Sequence, residues 1–501
     1  MNAPRLHSLR EYIDTLAGLG DVQEWAHEVD LNLEVGAAIR HCYDTKAPAP
    51  LFTRIHGQDN GFRILGAPGA LSSVSGAPFA RVALSLGLPF SSSGPEIVRA
   101  LADARSVTPI APVVVDSGPC HENVLLGDAA DLTQLPVPLL HDGDGGPYIN
   151  TWGTIIVSTP DGRWTNWSIA RIMRLDRNRM TGILHFRQHL GQIYRMWVDQ
   201  GKPMPFALVQ GAEPAVPFVA GMALPDGTDE VGFLGGYFGQ AQSLVRCRTV
   251  DLHVPANAEI VIEGHVAVGE TALEGPMGEY TGYISGSPRP LPVYHVTAIT
   301  HRDQAILPVV VAGEPVEETQ TASGIMASAE LLHQLRQTDL PVTDVWYSLE
   351  SALHLLVVTV PRDWSERTRF TSEQLTRAVA DVVSGSKAGM WASRVLLLDD
   401  DVDPTDANEV MWAFATRAHP VERQHVVDVK PIVPLMLGYS AAERQAAAGP
   451  MKTYDCLLPT DNSRPRRTAF THNYPFEIQR RVIEGARRAS VNVGSASDSP
   501  R

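Results

Sequence analysis

The sequence predicts a mixed α+β chain, in which a central split β-barrel is flanked by an N-terminal α/β unit and a C-terminal α/β unit. Three observations predict it. From about Ile110, short apolar runs alternate with glycine and proline turns and few long helical periods, the pattern of a barrel and not of a doubly wound sheet. Beyond residue 330, strand-like and helix-like runs alternate, which reads as a small α/β domain. Ahead of the barrel, helical patterns mix with short apolar runs, and 501 residues allow two or three cores.

In order along the chain, Ser8 and Glu11 stand at capping-box spacing before the stripe Leu9, Tyr12, Ile13 and Leu16, and Gly18 and Gly20 close that first helix. Helical patterns follow near 33–43 and 95–105, with apolar runs at 51–55 and 62–65. The barrel's expected strands are 113–115, 152–158, 164–173, 246–254 and 259–268. A connector around 314–328 leads to strands at 342–347, 354–360 and 394–398, and to helices at 372–383 and 408–416. A last helix is expected over 476–488, before a polar end that frays. The expected division is therefore 1–108, 109–313, a connector 314–330, 331–460, and a tail 461–501.

Composition excludes several classes. Hydrophobic content of 44% and charged content of 19% are those of a globular protein. A net charge of −15, from 41 basic and 56 acidic residues, argues against a nucleic-acid partner and requires any anionic substrate to be captured locally. Cys42, Cys120, Cys247 and Cys456 form no C-x-x-C pair, so neither a disulfide framework nor a zinc site is indicated, and a reducing cytoplasm is expected. The first residues lack the apolar core of a signal peptide, and no window approaches a membrane span.

The most informative stretch is L-E-G-P-M-G-E-Y-T-G, residues 273–282. Its Gly-Pro-Met-Gly turn is too rich in glycine for a helix and can fold Glu274 and Glu279 toward one point. Two acids in one pocket push their pKa values apart, which suits a proton donor. Upstream, T-N-W-S-I-A-R (165–171), H-F-R-Q-H-L-G (185–191) and L-P-D-G-T-D-E (224–230) supply Asn166, His189 and Glu230, an amide, an imidazole and a carboxylate. Such mixed O/N ligation suits Mn²⁺ or Mg²⁺. His185 and His189 lie four apart but lack the zincin glutamate, and Glu230 alone would equally suit the first turn of a helix.

Several separated motifs, in order, resemble the UbiD-type decarboxylases that use prenylated FMN, including the ferulate and phenylacrylate branch. They are L-P-V-P-L-L-H-D-G-D-G-G-P-Y-I (135–149), N-W-S-I-A-R, Q-H-L-G, D-G-T-D-E, E-G-P-M-G-E-Y, A-T-R-A-H-P (415–420) and K-T-Y-D-C-L-L-P (452–459). The resemblance implies a UbiD-like fold whose C-terminal α/β domain mediates oligomerisation, as a homodimer or higher homo-oligomer. It implies Asn166, His189 and Glu230 as ligands of Mn²⁺ (or Mg²⁺) at the cofactor phosphate, and a K⁺ held near Trp164, Ala220 and Met222 with Glu230 shared. Thr151, Ser168, Ile169, Ala170, Arg171, Gln188 and Met222 would line the flavin, and Arg171, Glu274 and Glu279 would form the catalytic network.

By the same resemblance, the activity is reversible non-oxidative decarboxylation of an aromatic, heteroaromatic or α,β-unsaturated acid through a covalent adduct with prenylated FMN. Losing CO₂ from an sp² carbon requires an electron sink that side chains lack. Arg171 would hold the substrate carboxylate, Glu274 would orient Arg171, and Glu279 would deliver the proton. A flavin prenyltransferase would supply the cofactor. Strict alternation puts Asn166 and Arg171 on opposite faces of a strand, so a bulge or bend is expected between Trp167 and Ala170. His185, Tyr280 and the E-T-Q-T run at 318–321 are the expected neighbours of the substrate, which favours an aromatic or heteroaromatic acid over a cinnamic or polyprenyl-hydroxybenzoic one. The alternatives are a non-catalytic flavin- or metal-binding scaffold subunit and a metal-dependent hydrolase without flavin.

Overall fold

A computed structural model describes residues 4–495 apart from 59, 185–187, 285, 430 and 462–463. The first helix, Leu9–Gly18, forms as its sequence dictates: Ser8 Oγ accepts from Glu11 N at 3.2 Å, and Leu9, Tyr12, Ile13 and Leu16 are buried. Beside it, Val22–Trp25, Ala49–Phe52 and Arg63–Gly66 form a sheet whose fourth strand, Ile306–Val309, arrives from the far side of the barrel. The opening unit is thus stitched to the end of the central one.

The central sheet has nine strands. Its path runs Tyr148–Asn150, Ile172–Arg174, Arg179–Gly182, Arg289–His301, Ile260–Glu274, Met204–Gln210, Thr154–Ser158 and Thr165–Ser168, with Asn123–Leu126 added on Arg289–His301. Its two terminal strands do not pair with each other, so the barrel is split. Three expectations change here. The run 164–173 is two strands, because the chain leaves the ladder at 169–171 and rejoins on the opposite edge, which is the bend that Asn166 and Arg171 required. The run 246–254 is a hairpin of Ser243–Arg246 and His253–Pro255. The strand expected over 259–268 continues to Glu274, through register shifts at Glu263/Gly264 and Val266/Thr271.

The C-terminal sheet is Asp344–Tyr347, Leu355–Val360, Arg394–Asp399, Gly449–Asp455 and Gln424–Val429, in that spatial order. Ser372–Gly385 begins with a capping box of Thr371 and Gln374 and buries Leu375, Val379 and Val383. The connector expected over 314–330 is largely helical: the π-turn Thr319–Gly324 runs into Ile325–Arg336, whose Ile325, Leu331, Leu332 and Leu335 are fully buried. One apolar core runs from Val82–Ala102 through the barrel to Leu457, so the barrel and the C-terminal domain are packed as one body. Among the described residues no helix is long and apolar enough to cross a membrane.

Candidate active site

Glu274 ends the long strand, and Gly275, at φ 82°, turns the chain out of it in a conformation that only glycine adopts without strain. The turn returns Glu279 beside Glu274, with Arg171 between them. Arg171 donates from Nε to Glu274 Oε1 at 2.8 Å and from Nη2 to Glu274 Oε2 at 3.1 Å, while Nη1 donates to Glu279 Oε1. Tyr148 OH adds a bond to Glu274 Oε1 at 2.9 Å. A brace holds the loop from outside. Asp144 accepts Gly278 N on Oδ1 at 2.9 Å and the His141 ring on Oδ2 at 3.0 Å, and Gly145 N donates to Pro276 O at 2.7 Å. The segment 135–149 therefore fixes the catalytic loop.

The three groups differ electrostatically. Glu274 is fully enclosed, whereas the side chains of Arg171 and Glu279 keep 16% and 15% of their surface at a cavity. Burial alone would lower the Arg171 pKa, but Glu279 and Glu274 outweigh it and keep the guanidinium charged. Burial raises Glu279 above the ordinary carboxyl range, and Arg171 opposes that rise. The result is one cation held between an enclosed glutamate and a second one that burial biases toward holding its proton.

A second cluster lies on the other side of the chain break at 169–171. Asn166, His189 and Glu230 converge, all buried: Asn166 Nδ2 is 2.9 Å from Glu230 Oε1 and 3.4 Å from His189 Nδ1, and Trp167 N donates to Glu230 Oε2 at 2.8 Å. Burial pushes the Glu230 carboxyl up to about 7, which marks an acid short of positive charge. His189 and Glu230 each open a helix, His189–Asp199 and Glu230–Phe238, and neither helix has a side-chain cap, so free backbone N–H groups point out of both. Those ends, with Lys387 Nζ 3.1 Å from His189 Nε2, fit a phosphate and a cation together.

The other expected residues are placed as follows. Ser168, Ile169, Ala170 and Arg171 form one edge between the two clusters, with the Ala170 carbonyl held by Asn150 Nδ2 at 2.6 Å. Thr151 Oγ1 accepts Val310 N at 2.9 Å. Trp164 lays its ring 4.8 Å from that of His189, and Ala220 and Met222 flank the corner where Ile169 approaches Gly221. Gln188 is exposed at the cap of its helix. His185 lies outside the described residues. Tyr280 is buried away from Arg171, its ring 5.5 Å from Trp391 and 6.0 Å from His354, and its carbonyl accepts Gln320 Nε2 at 3.1 Å. Sequence reasoning missed Tyr148, Asp144, His141 and Lys387. The first three stood inside the quoted 135–149 motif, so a signal existed, while nothing in the neighbourhood of Lys387 marks it.

Comparisons with known proteins identify the family. The chain matches the sequence models of the 3-octaprenyl-4-hydroxybenzoate carboxy-lyase N-terminal domain over 13–101, Rift-related domain over 113–315 and C-terminal domain over 320–449. It is 42% identical over 478 residues to a pyrrole-2-carboxylic acid decarboxylase of Pseudomonas aeruginosa, covering 95% of this chain and 96% of that one. It is 37% identical over 441 residues to ferulic acid decarboxylase 1 of Saccharomyces cerevisiae, covering 87% and 88%. Among solved structures, it is similar to an evolved dimeric form of the UbiD-class enzyme HmfF from Pelotomaculum thermopropionicum in complex with prFMN, with a TM-score of 0.76, 26% identity and coverage of 92% and 97%. The open form of vanillic acid decarboxylase from Sedimentibacter hydroxybenzoicus gives a TM-score of 0.81 at 25% identity, covering 98% and 100%.

Proposed function

This chain belongs to the UbiD family of carboxy-lyases, and from that premise we propose that it removes CO₂ non-oxidatively from a small aromatic or heteroaromatic carboxylic acid with prenylated FMN as its cofactor. The observation that carries the reading is the Arg171–Glu274–Glu279 triangle at the floor of a cavity of about 310 Å³. Its size suits one ring with its carboxylate. The 42% identity to a pyrrole-2-carboxylic acid decarboxylase favours a heteroaromatic acid.

Prenylated FMN, when bound, supplies the electron sink that an sp² carbanion needs. The residues do the rest. Of the five N–H donors of Arg171, three go to its two acids, which leaves donors on Nη1 and Nη2 to take the substrate carboxylate. Glu274, itself fixed by Tyr148, holds the guanidinium in one plane. A substrate carboxylate on Arg171 weakens the cation that most lowers the Glu279 pKa, so substrate binding favours the protonated acid that must then give its proton to the carbon losing CO₂. Asn166, His189 and Glu230 would hold Mn²⁺ or Mg²⁺ against the cofactor phosphate, with Lys387 beside it, and the region of Trp164, Ala220 and Met222 would hold K⁺. These ions would supply charge neutralisation, not redox chemistry. A flavin prenyltransferase would supply the cofactor.

The chain would assemble as a homodimer through its C-terminal helix Phe476–Ser495, on which Phe476, Val482 and Ile483 are exposed at 74%, 52% and 43%. A mass of one chain in light scattering would refute this. The test of function is expression with a flavin prenyltransferase, the absorbance spectrum and mass of the bound cofactor, and CO₂ release from pyrrole-2-carboxylate, furan-2-carboxylate and ferulate. Release from the ring acids is expected. Protein loaded with prenylated flavin that decarboxylates none of the three would overturn the reading.

A further inference from the structure

The cavity floor poses an electrostatic problem. Arg171 brings one positive charge and Glu274 and Glu279 up to two negative ones, within a chain of net charge −15, so an arriving carboxylate meets repulsion before it meets Arg171. Two further arginines line the same cavity. Arg289 opens the strand paired with the long strand of Glu274, and is the residue directly opposite Glu274 in that ladder. Its guanidinium has no hydrogen-bond partner among the described residues, and its charge reaches Glu279. Arg444 comes from the C-terminal domain, on the short helix Ala441–Ala446, and is aimed by a bond from Nη1 to Tyr439 O at 2.8 Å. Leu435 and Leu437, the latter 52% exposed, line the same cavity and give an apolar wall for a ring.

We propose that Arg289 and Arg444 form an anion-capture pair at the mouth of the cavity: they take the carboxylate of the incoming planar acid, seat its ring on Leu435 and Leu437, and pass the carboxylate inward to Arg171. The identity of the acid rests on the decarboxylase reading above; the capture of a carboxylate does not. Both side chains act before chemistry, so they set the encounter and the affinity, not the rate of CO₂ loss. One stands on the barrel and the other on the C-terminal domain, so a bridging carboxylate also ties the two units across the cavity.

The test uses the holoenzyme with Arg289→Gln, Arg444→Gln, the double variant and Arg289→Lys. At low ionic strength each Gln variant should raise the KM for pyrrole-2-carboxylate about 10-fold, with kcat unchanged, and the difference should shrink as salt is added. Arg289→Lys should restore most of the loss, because capture needs a point charge more than a fork. Equilibrium dialysis with benzoate and benzamide gives a readout independent of turnover: the Gln variants should bind benzoate about 10-fold more weakly and benzamide as the parent does. Equal benzoate affinity in parent and double variant, or an equal loss for benzamide, overturns the proposal. If the parent decarboxylates no acid but the benzoate and benzamide results differ as expected, the decarboxylase reading fails while the capture pair stands.

Discussion

At the residue scale the two glutamates are chemically identical, but their surroundings differ, and the proposed function gives them different roles. Glu274 receives two bonds from Arg171 and one from Tyr148, whereas the Glu279 carboxyl receives, among the described residues, only Nη1 of Arg171 and lies in a site where burial raises its pKa. Glu279→Gln keeps the shape and the contact with Arg171 but removes the transferable proton. It should lower kcat by about 10²- to 10⁴-fold and leave the bound-cofactor spectrum intact. Loss of the cofactor instead would make Glu279 a structural residue. The same raised pKa fixes the sign of the pH profile. The competent form is protonated, so kcat should be level on the acid side and fall as pH rises through the folded pKa of Glu279, above the ordinary carboxyl range. A profile that instead rises with pH would mean that the carboxylate, not the acid, is the working form. The pair was legible from the E-x4-E spacing across glycines, and Arg171 from motif resemblance. The raised pKa of Glu279 was not, since it depends on a burial that only packing creates.

At the element scale the site depends on two departures from regular strands. The ladder breaks at 169–171, which sends Asn166 toward the helix termini and Arg171 toward the glutamates; the sequence required this, because five-residue spacing cannot put both on one face of a strand. The second departure was less legible. The long strand was expected to stop at residue 268, yet the mostly exposed run V-G-E-T-A-L (268–273) pairs on to Glu274 through two register shifts. Exposure breaks the alternation that marks a strand without breaking its hydrogen bonds. The catalytic loop beyond it is clamped by 141–145, where a Cβ on Gly145 would stand 2.1 Å from the carbonyl oxygen of Gly275. Gly145→Ala must therefore push the loop, and a displacement of about 1 Å there should lower kcat roughly 10²-fold in protein that still folds and binds flavin. Gly385→Ala, with nothing within 4 Å of the added carbon, should change neither. Equal effects of the two substitutions on kcat would dissociate the clamp from catalysis.

At the scale of the whole molecule the cavity is lined from the barrel and the C-terminal domain, and these share one core with Val82–Ala102 of the N-terminal unit through the helix Ile325–Arg336 and the segment ahead of it. That segment buries two consecutive acids. Both oxygens of Glu318 are hydrogen-bonded, Oε2 by Tyr43 OH at 2.6 Å and Oε1 by Gly69 N at 3.1 Å, which ties it to the N-terminal unit. Glu317 accepts Thr319 N on Oε2 at 2.6 Å, but its Oε1 has no partner among the described residues. Burial, with Glu318 adding, pushes Glu317 up to about 8. Glu317 thus binds its proton more tightly in the folded chain than in the unfolded one. Stability is complete below the unfolded carboxyl pKa of about 4.3 and falls as pH rises toward 8, where the folded acid must ionise against burial and the charge of Glu318. Glu317→Gln is close in shape and cannot ionise. The parent should lose thermal stability between about pH 5 and pH 8, and the variant should lose less, the gap widening to a few °C at the alkaline end, on the scale of about 2–4 °C per kcal/mol for a domain of 150–250 residues. Melting curves of both proteins over that range, followed by tryptophan fluorescence, decide it. Parallel curves would mean that Glu317 finds a proton-independent partner and that the junction between the three units is not pH-sensitive.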